Sequence, residues 1–91
     1  MKDKGNQEFK KRNFNEALNF YDEAIKLNPE EPLYYNNKAA AYIELKDYDA
    51  AMAEISRAEK LFDEGVVKDF IKKAKIMARK GTIFMKLEKL D

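Results

Sequence analysis

The side chains in this sequence that can do chemistry are cations and amides set at helical spacings. Lys2 and Asn6 lie four residues apart, as do Lys75 and Arg79, so each pair shares one face of any helix that carries it. Asn37 stands at the front of an apolar stretch, where asparagine is a mediocre helix former. Taken singly, each is an ordinary solvated surface residue. Together they offer hydrogen-bond donors, three of them charged, which suits binding better than catalysis. The chain has no His and no Cys, which removes the commonest general base, disulfides and Cys-rich zinc sites. Ser56 and Thr82 are its only hydroxyl nucleophiles besides tyrosine, and neither has an activating partner close in sequence. No catalytic residue, no metal site and no cofactor are expected.

Composition narrows the class further. In 91 residues, 45% are apolar and 38% charged, the balance of one small globular domain with a heavily charged helical surface. A chain this short buries only about 60% of its unfolded surface, so its hydrophobic margin is modest. A net charge of +1 gives no global attraction to nucleic acid. No apolar run approaches the roughly 18 residues of a membrane span. The opening MKDKGNQEFKK lacks the apolar core of a secretory signal. The expectation is a soluble, cytoplasmic module that binds neither nucleic acid nor membrane.

The elements that must position these side chains read as helices throughout. Lys2 to Arg12 forms a short first helix, interrupted at Asn13-Phe14-Asn15, with Asn15 as N-cap of the second. Phe14, Ala17, Leu18, Tyr21, Ala24, Ile25 and Leu27 then recur at spacings of three and four, the period of an amphipathic helix that Asn28-Pro29 ends. Pro32 opens a third helix running to about Leu45. After the Lys46-Asp47 turn, with Asp49 as a second N-cap, a fourth runs from about Ala50 to Phe62 and closes at Gly65. Val66 to about Leu87 makes a long fifth helix. No segment alternates as a strand does, so the expected class is all-α.

A 34-residue period underlies these elements. Adding 34 to Phe14, Ala17, Tyr21, Ala24 and Leu27 gives Tyr48, Ala51, Ile55, Ala58 and Leu61, small on small and large on large. A helix pair repeating at this length signals a stacked repeat architecture. The small residues Gly5, Ala39 and Gly81, with the alanines, should let adjacent helices approach closely. Tyr34, Tyr35 and Tyr42 are expected to pack with their hydroxyls toward solvent.

GNQEF, the Phe14–Glu16–Ala17–Tyr21 series and AIKLNP resemble the tetratricopeptide repeat (TPR) family over essentially the whole chain. Lys4 departs from the pattern, which prefers a large apolar residue there. The resemblance implies a right-handed superhelix of antiparallel helix pairs. It divides the chain into repeat one at 1–31, repeat two at 32–64 and a partial third repeat at 66–91 that lacks its second helix. The third repeat starts 42 rather than 34 residues after Ala39, which lengthens the connection around FDEGVVKD. The uncovered fifth helix should then expose Ile83, Phe84 and Leu87, leaving a frayed end or self-association through that surface.

Three sub-motifs, KDKGN (2–6), NNKAAAY (36–42) and KIMAR (75–79), resemble the dicarboxylate clamp of heat-shock co-chaperone TPR domains. The resemblance implies that Lys2, Asn6, Asn37, Lys75 and Arg79 bind the C-terminal EEVD peptide of heat-shock protein 90 or heat-shock protein 70. Its terminal Asp offers a side-chain and a main-chain carboxylate close together. Two Lys and an Arg would supply charge, the Arg a planar fork, and the Asn amides neutral donors. Phe9, Ala40 and Glu44 are implied as secondary peptide contacts, although Phe9 is equally suited to the inter-helix core and Glu44 reads as an ordinary surface acid before it reads as a contact. The long connection and the ending KIMARKGTIFMKLEKLD are similar to the middle TPR module of the heat-shock organising proteins, which implies preference for the tail of heat-shock protein 90. The alternative is a structural TPR scaffold in an unrelated assembly. As part of an enzyme, the module would be the targeting portion of a larger prolyl isomerase or phosphatase.

Overall fold

The computed structural model describes residues 2–89. Five helices follow one another: α1 (Lys2–Lys10), α2 (Phe14–Leu27), α3 (Pro32–Glu44), α4 (Tyr48–Asp63) and α5 (Phe70–Glu88). There is no strand among the described residues. α1 packs on α2, α2 on α3 and α3 on α4, while α5 packs against both α4 and α3. The thinnest extent of the Cα trace is 18 Å, about two helix layers.

The 34-residue period is visible in the backbone itself. Arg12 (φ 65°) and Lys46 (φ 64°), one period apart, both adopt the left-handed conformation just past α1 and α3. Around Arg12, the Asn13 amide donates to the Glu8 carbonyl at 2.9 Å and the Arg12 amide to Phe9 at 3.0 Å. Asp47 donates to Tyr42 and Lys46 to Ile43 at the same distances. Gly65 (φ 74°) repeats the pattern after α4, with Val66 donating to Leu61 at 2.9 Å. These paired bonds satisfy the last carbonyls of each helix and turn the chain back on itself.

The helix starts differ from the sequence reading. α2 begins at Phe14, so Asn13 rather than Asn15 is its N-cap, and the Asn13 amide donates to Glu8 at 2.8 Å instead of capping. Asp47 rather than Asp49 caps α4, its carboxylate accepting from the Ala50 amide at 3.2 Å. α5 begins at Phe70, four residues later than Val66. The amides of Val66 and Val67 are both bonded to Leu61, while Asp69 accepts from the Ile71 and Lys72 amides and starts the helix there.

Most of the periodic positions form the core. Ala17, Ala51, Ile55 and Ala58 are fully enclosed, and Tyr21 and Ala24 nearly so. Leu27 departs from its stripe: it is 78% exposed, as the last residue of α2. α5 also differs from expectation. Ile83 is fully buried with Ile76 against Ala39, Ile43, Ile55 and Ala58, and Leu87 packs at the edge of that cluster. Burial of each such side chain contributes about 1.5–3 kcal/mol. Phe84 is half exposed, as expected of an outward face. α5 continues to Glu88, and the last two residues of the C-terminal end expected to fray, 90–91, lie outside the described residues.

Close approach between helices is real at Gly5 and absent at Gly81. A Cβ on Gly5 would meet the Tyr21 ring, whereas one on Gly81 would meet nothing within 4 Å. The tyrosines pack at the core edge as anticipated for Tyr35 and Tyr42, and the Tyr35 hydroxyl donates to the Pro29 carbonyl at 3.0 Å. Two charged groups, Glu54 and Lys38, are unexpected in the interior. Glu54 is 1% exposed and accepts from Lys38 Nζ at 3.1 Å and from Arg57, while Lys38 also reaches Asp22 at 2.6 Å. This chain of charges ties α2, α3 and α4 together.

Candidate functional site

α1, α3 and α5 supply one side of a shared groove. Asn6 and Phe9 from α1, Asn37, Ala40 and Glu44 from α3, and Arg79 from α5 line a crevice of about 380 Å³, with Tyr21 of α2 at its floor. Their helical spacing explains the meeting. Asn6 and Phe9 are three apart, and Asn37, Ala40 and Glu44 follow at three and four, so each helix presents one stripe. Gly5 lets α1 settle onto the Tyr21 ring, which brings the Tyr21 hydroxyl to Asn6. It donates to Asn6 Oδ1 at 2.7 Å. That bond occupies the amide oxygen and leaves the Asn6 NH₂ group as the side chain's outward donor. Burial raises the pKa of the Tyr21 hydroxyl, which keeps it a donor.

Arg79 is the hub of the groove. It lines the crevice just described and two others. One, of about 330 Å³, also includes Asn36, Lys75, Ala78 and Thr82. The other, of about 260 Å³, continues along Phe9, Ala40 and Glu44 toward Lys46 and Lys86. Burial of the guanidinium lowers the Arg79 pKa from its ordinary value, yet arginine stays charged in proteins. Among the described residues Arg79 and Lys75 take part in no ion pair. A cation that is partly desolvated and not matched by a carboxylate is a site for an anion.

The structure therefore gathers Asn6, Asn37 and Arg79 with Phe9, Ala40 and Glu44, and places Lys75 one turn from Arg79 in the adjoining crevice. Lys2 lies at the exposed first residue of α1, one turn before Asn6, and lines none of these three crevices. Phe9 lines the groove and also meets Phe14 edge-on, ring centroids 5.2 Å apart. Glu44 Oε2 lies 3.6 Å from Arg12 at the groove's rim. Three participants escaped the sequence reading. Tyr21 reads in the sequence as one more core residue of its stripe, Asn36 as a mere neighbour of Asn37, and Thr82 as a hydroxyl without a partner. A doubled asparagine on a helix that also faces α5 was the available signal for Asn36. Among the described residues no cluster of acidic side chains could hold a metal ion, and no helix is long and apolar enough to cross a membrane.

Comparison with known proteins agrees with this architecture. A TPR repeat model matches residues 5–46, and a tetratricopeptide repeat model matches residues 33–63. The chain is 38% identical to the Hsp70-Hsp90 organising protein of Plasmodium falciparum over 89 residues, which is 97% of this chain and 15% of that protein. It is 39% identical over 88 residues to dynein axonemal assembly factor 4 of Pongo pygmaeus, again 97% of this chain and 21% of the relative. It thus spans no more than about a fifth of these relatives. Among solved structures, the Arabidopsis OM64 TPR domain superposes with a TM-score of 0.78 at 37% identity, covering 98% of this chain and 67% of that one. With five helices in the order and packing described, a 34-residue backbone period and these matches, the chain belongs to the tetratricopeptide repeat family.

Proposed function

We propose that this chain is a peptide-binding adaptor module whose groove takes the C-terminal EEVD tail of heat-shock protein 90, with the tail of heat-shock protein 70 as its competitor. The observation that carries the reading is the convergence of Asn6, Asn37 and Arg79 on one crevice, with Lys75 beside it and neither cation in an ion pair among the described residues. A C-terminal Asp brings two carboxylates within a few ångströms of one another. The Arg79 guanidinium can meet one of them with parallel N–H donors, Lys75 and Lys2 add point charges, and the two Asn amides complete the shell without further repulsion. Phe9 and Ala40 give apolar wall for the preceding side chain. Hydrogen bonds to charged groups contribute about 1.5–3 kcal/mol each, so a handful yields micromolar affinity after association costs. Likeness to an Hsp70-Hsp90 organising protein along nearly the whole chain supports the same partner class. A cytoplasmic location goes with that partner.

Mutation of the cations is the direct test. Arg79→Ala and Lys75→Glu should each weaken binding of an EEVD-ending peptide by at least about 1.5 kcal/mol, and wild-type affinity should fall as salt rises. Dissociation constants unchanged in both variants would overturn the proposal. Competition between the two chaperone tails for the same sample would rank them.

A further inference from the structure

Asn36, adjacent to the groove residue Asn37, points elsewhere. It is 7% exposed, lies in the crevice between α3 and α5 with Lys75 and Thr82, and its Oδ1 accepts from Arg79 Nε at 3.4 Å. That distance is long for such a bond, so it steers the guanidinium more than it locks it. The consequence is geometric. A guanidinium can grip a carboxylate either side-on, through Nε and one Nη, or end-on, through its two Nη groups. With Nε–H turned toward Asn36, the end-on edge is the one left to the groove. The neutral amide also matters. An aspartate at the same place would hold Nε equally well while cancelling the charge that the groove needs.

We infer that Asn36 is a positioning residue for Arg79: by taking the Nε–H it aims the paired Nη donors into the groove and sets end-on recognition of a carboxylate. The ligand in this statement rests on the proposed function; the contact itself does not.

Two readouts test it on the intact chain. In ¹⁵N spectra of the arginine Nε–H groups, the Arg79 proton should exchange slowly in wild type and in Asn36→Asp, and quickly in Asn36→Leu, which keeps the volume and removes the acceptor. An Arg79 Nε–H unaffected by Asn36→Leu would overturn the inference whatever the peptide does. The second readout is a double-mutant cycle with an EEVD-ending peptide. Asn36→Leu should weaken binding about fivefold to tenfold in the wild-type background and less than about twofold when Arg79 is already Ala. Equal losses in both backgrounds would mean a purely structural role and would also overturn it. Should Asn36→Leu fail to fold, Asn36→Ala, which also removes the acceptor, carries both readouts with the same expected and overturning results. Failure of the underlying reading shows itself separately, as a wild-type protein that binds the free-acid peptide no better than its amide while the Nε–H pattern persists.

Discussion

A Cβ placed on Gly5 would lie 2.5 Å from Cε1 and 2.7 Å from Cδ1 of Tyr21, both part of a rigid ring that is itself 2% exposed. Neither helix can yield without moving the Tyr21 hydroxyl away from Asn6. Gly5→Ala should therefore destabilise the fold by about 1–3 kcal/mol in urea unfolding and weaken peptide binding as well. Gly81 holds the corresponding place in α5 but faces open space, so Gly81→Ala should stabilise by up to about 1 kcal/mol through helix propensity. A loss at Gly81 or a gain at Gly5 would contradict the packing described. The period alone predicted small residues at both places. It could not show that one has a ring above it and the other has none. In the same way the stripe of α2 marked Tyr21 as core without revealing that its hydroxyl holds Asn6, since spacing encodes which face a residue occupies and not what its polar tip meets.

At the scale of elements, the three left-handed residues Arg12, Lys46 and Gly65 end α1, α3 and α4 in the same way. A non-glycine residue there carries a steric penalty of about 1 kcal/mol. Lys46→Gly should raise stability by about 0.5–1.5 kcal/mol without shifting the fold; a destabilised variant would argue that the Lys46 stem packs usefully. Arg12 is a poorer choice for that test because its guanidinium stacks on Phe14 at 5.1 Å and approaches Glu44. These turns explain which boundaries could be read in advance. Pro29, Pro32 and Gly65 carry their own backbone constraints and marked their ends well. Asn15 and Asp49 are sound capping residues lying within α2 and α4, because the turn at residues 12–13 and 46–47 brings each helix in two residues earlier. The late start of α5 has a similar origin, with two valine amides tied back to α4 before Asp69 can cap.

For the molecule as a whole, the charged chain Asp22–Lys38–Glu54–Arg57 spans three helices through the interior. No spacing rule in the sequence announced it, since Lys38 and Glu54 read as surface charges on opposite members of a helix pair. Removing one partner strands the others, so Lys38→Met should cost about 3 kcal/mol. The cluster also sets the alkaline limit. Burial by itself would lower the Lys38 pKa, but its bonds to Asp22 and Glu54 outweigh that and raise it. A lysine held above its ordinary value of about 10.4 contributes fully below that pH, and the contribution is lost as pH climbs through the folded value. Tyr21, raised by burial, acts in the same direction above about pH 10. The urea midpoint should fall once pH passes about 10, and a midpoint that rises there would contradict the assignment.

Architecture, by contrast, was legible almost in full, because a repeat writes its core twice and each copy checks the other. What a repeat cannot write is a site made of residues that do not recur at the period, as Asn6, Asn37, Lys75 and Arg79 do not. The central claim is that these side chains recognise a chain-terminal carboxylate, and one titration addresses it: an EEVD-ending peptide against the same peptide amidated at its C-terminus, followed by calorimetry at a fixed salt concentration. The free acid should bind at least about tenfold more tightly, as expected when hydrogen bonds to one charged group are lost. Equal affinity for the two peptides would contradict the account.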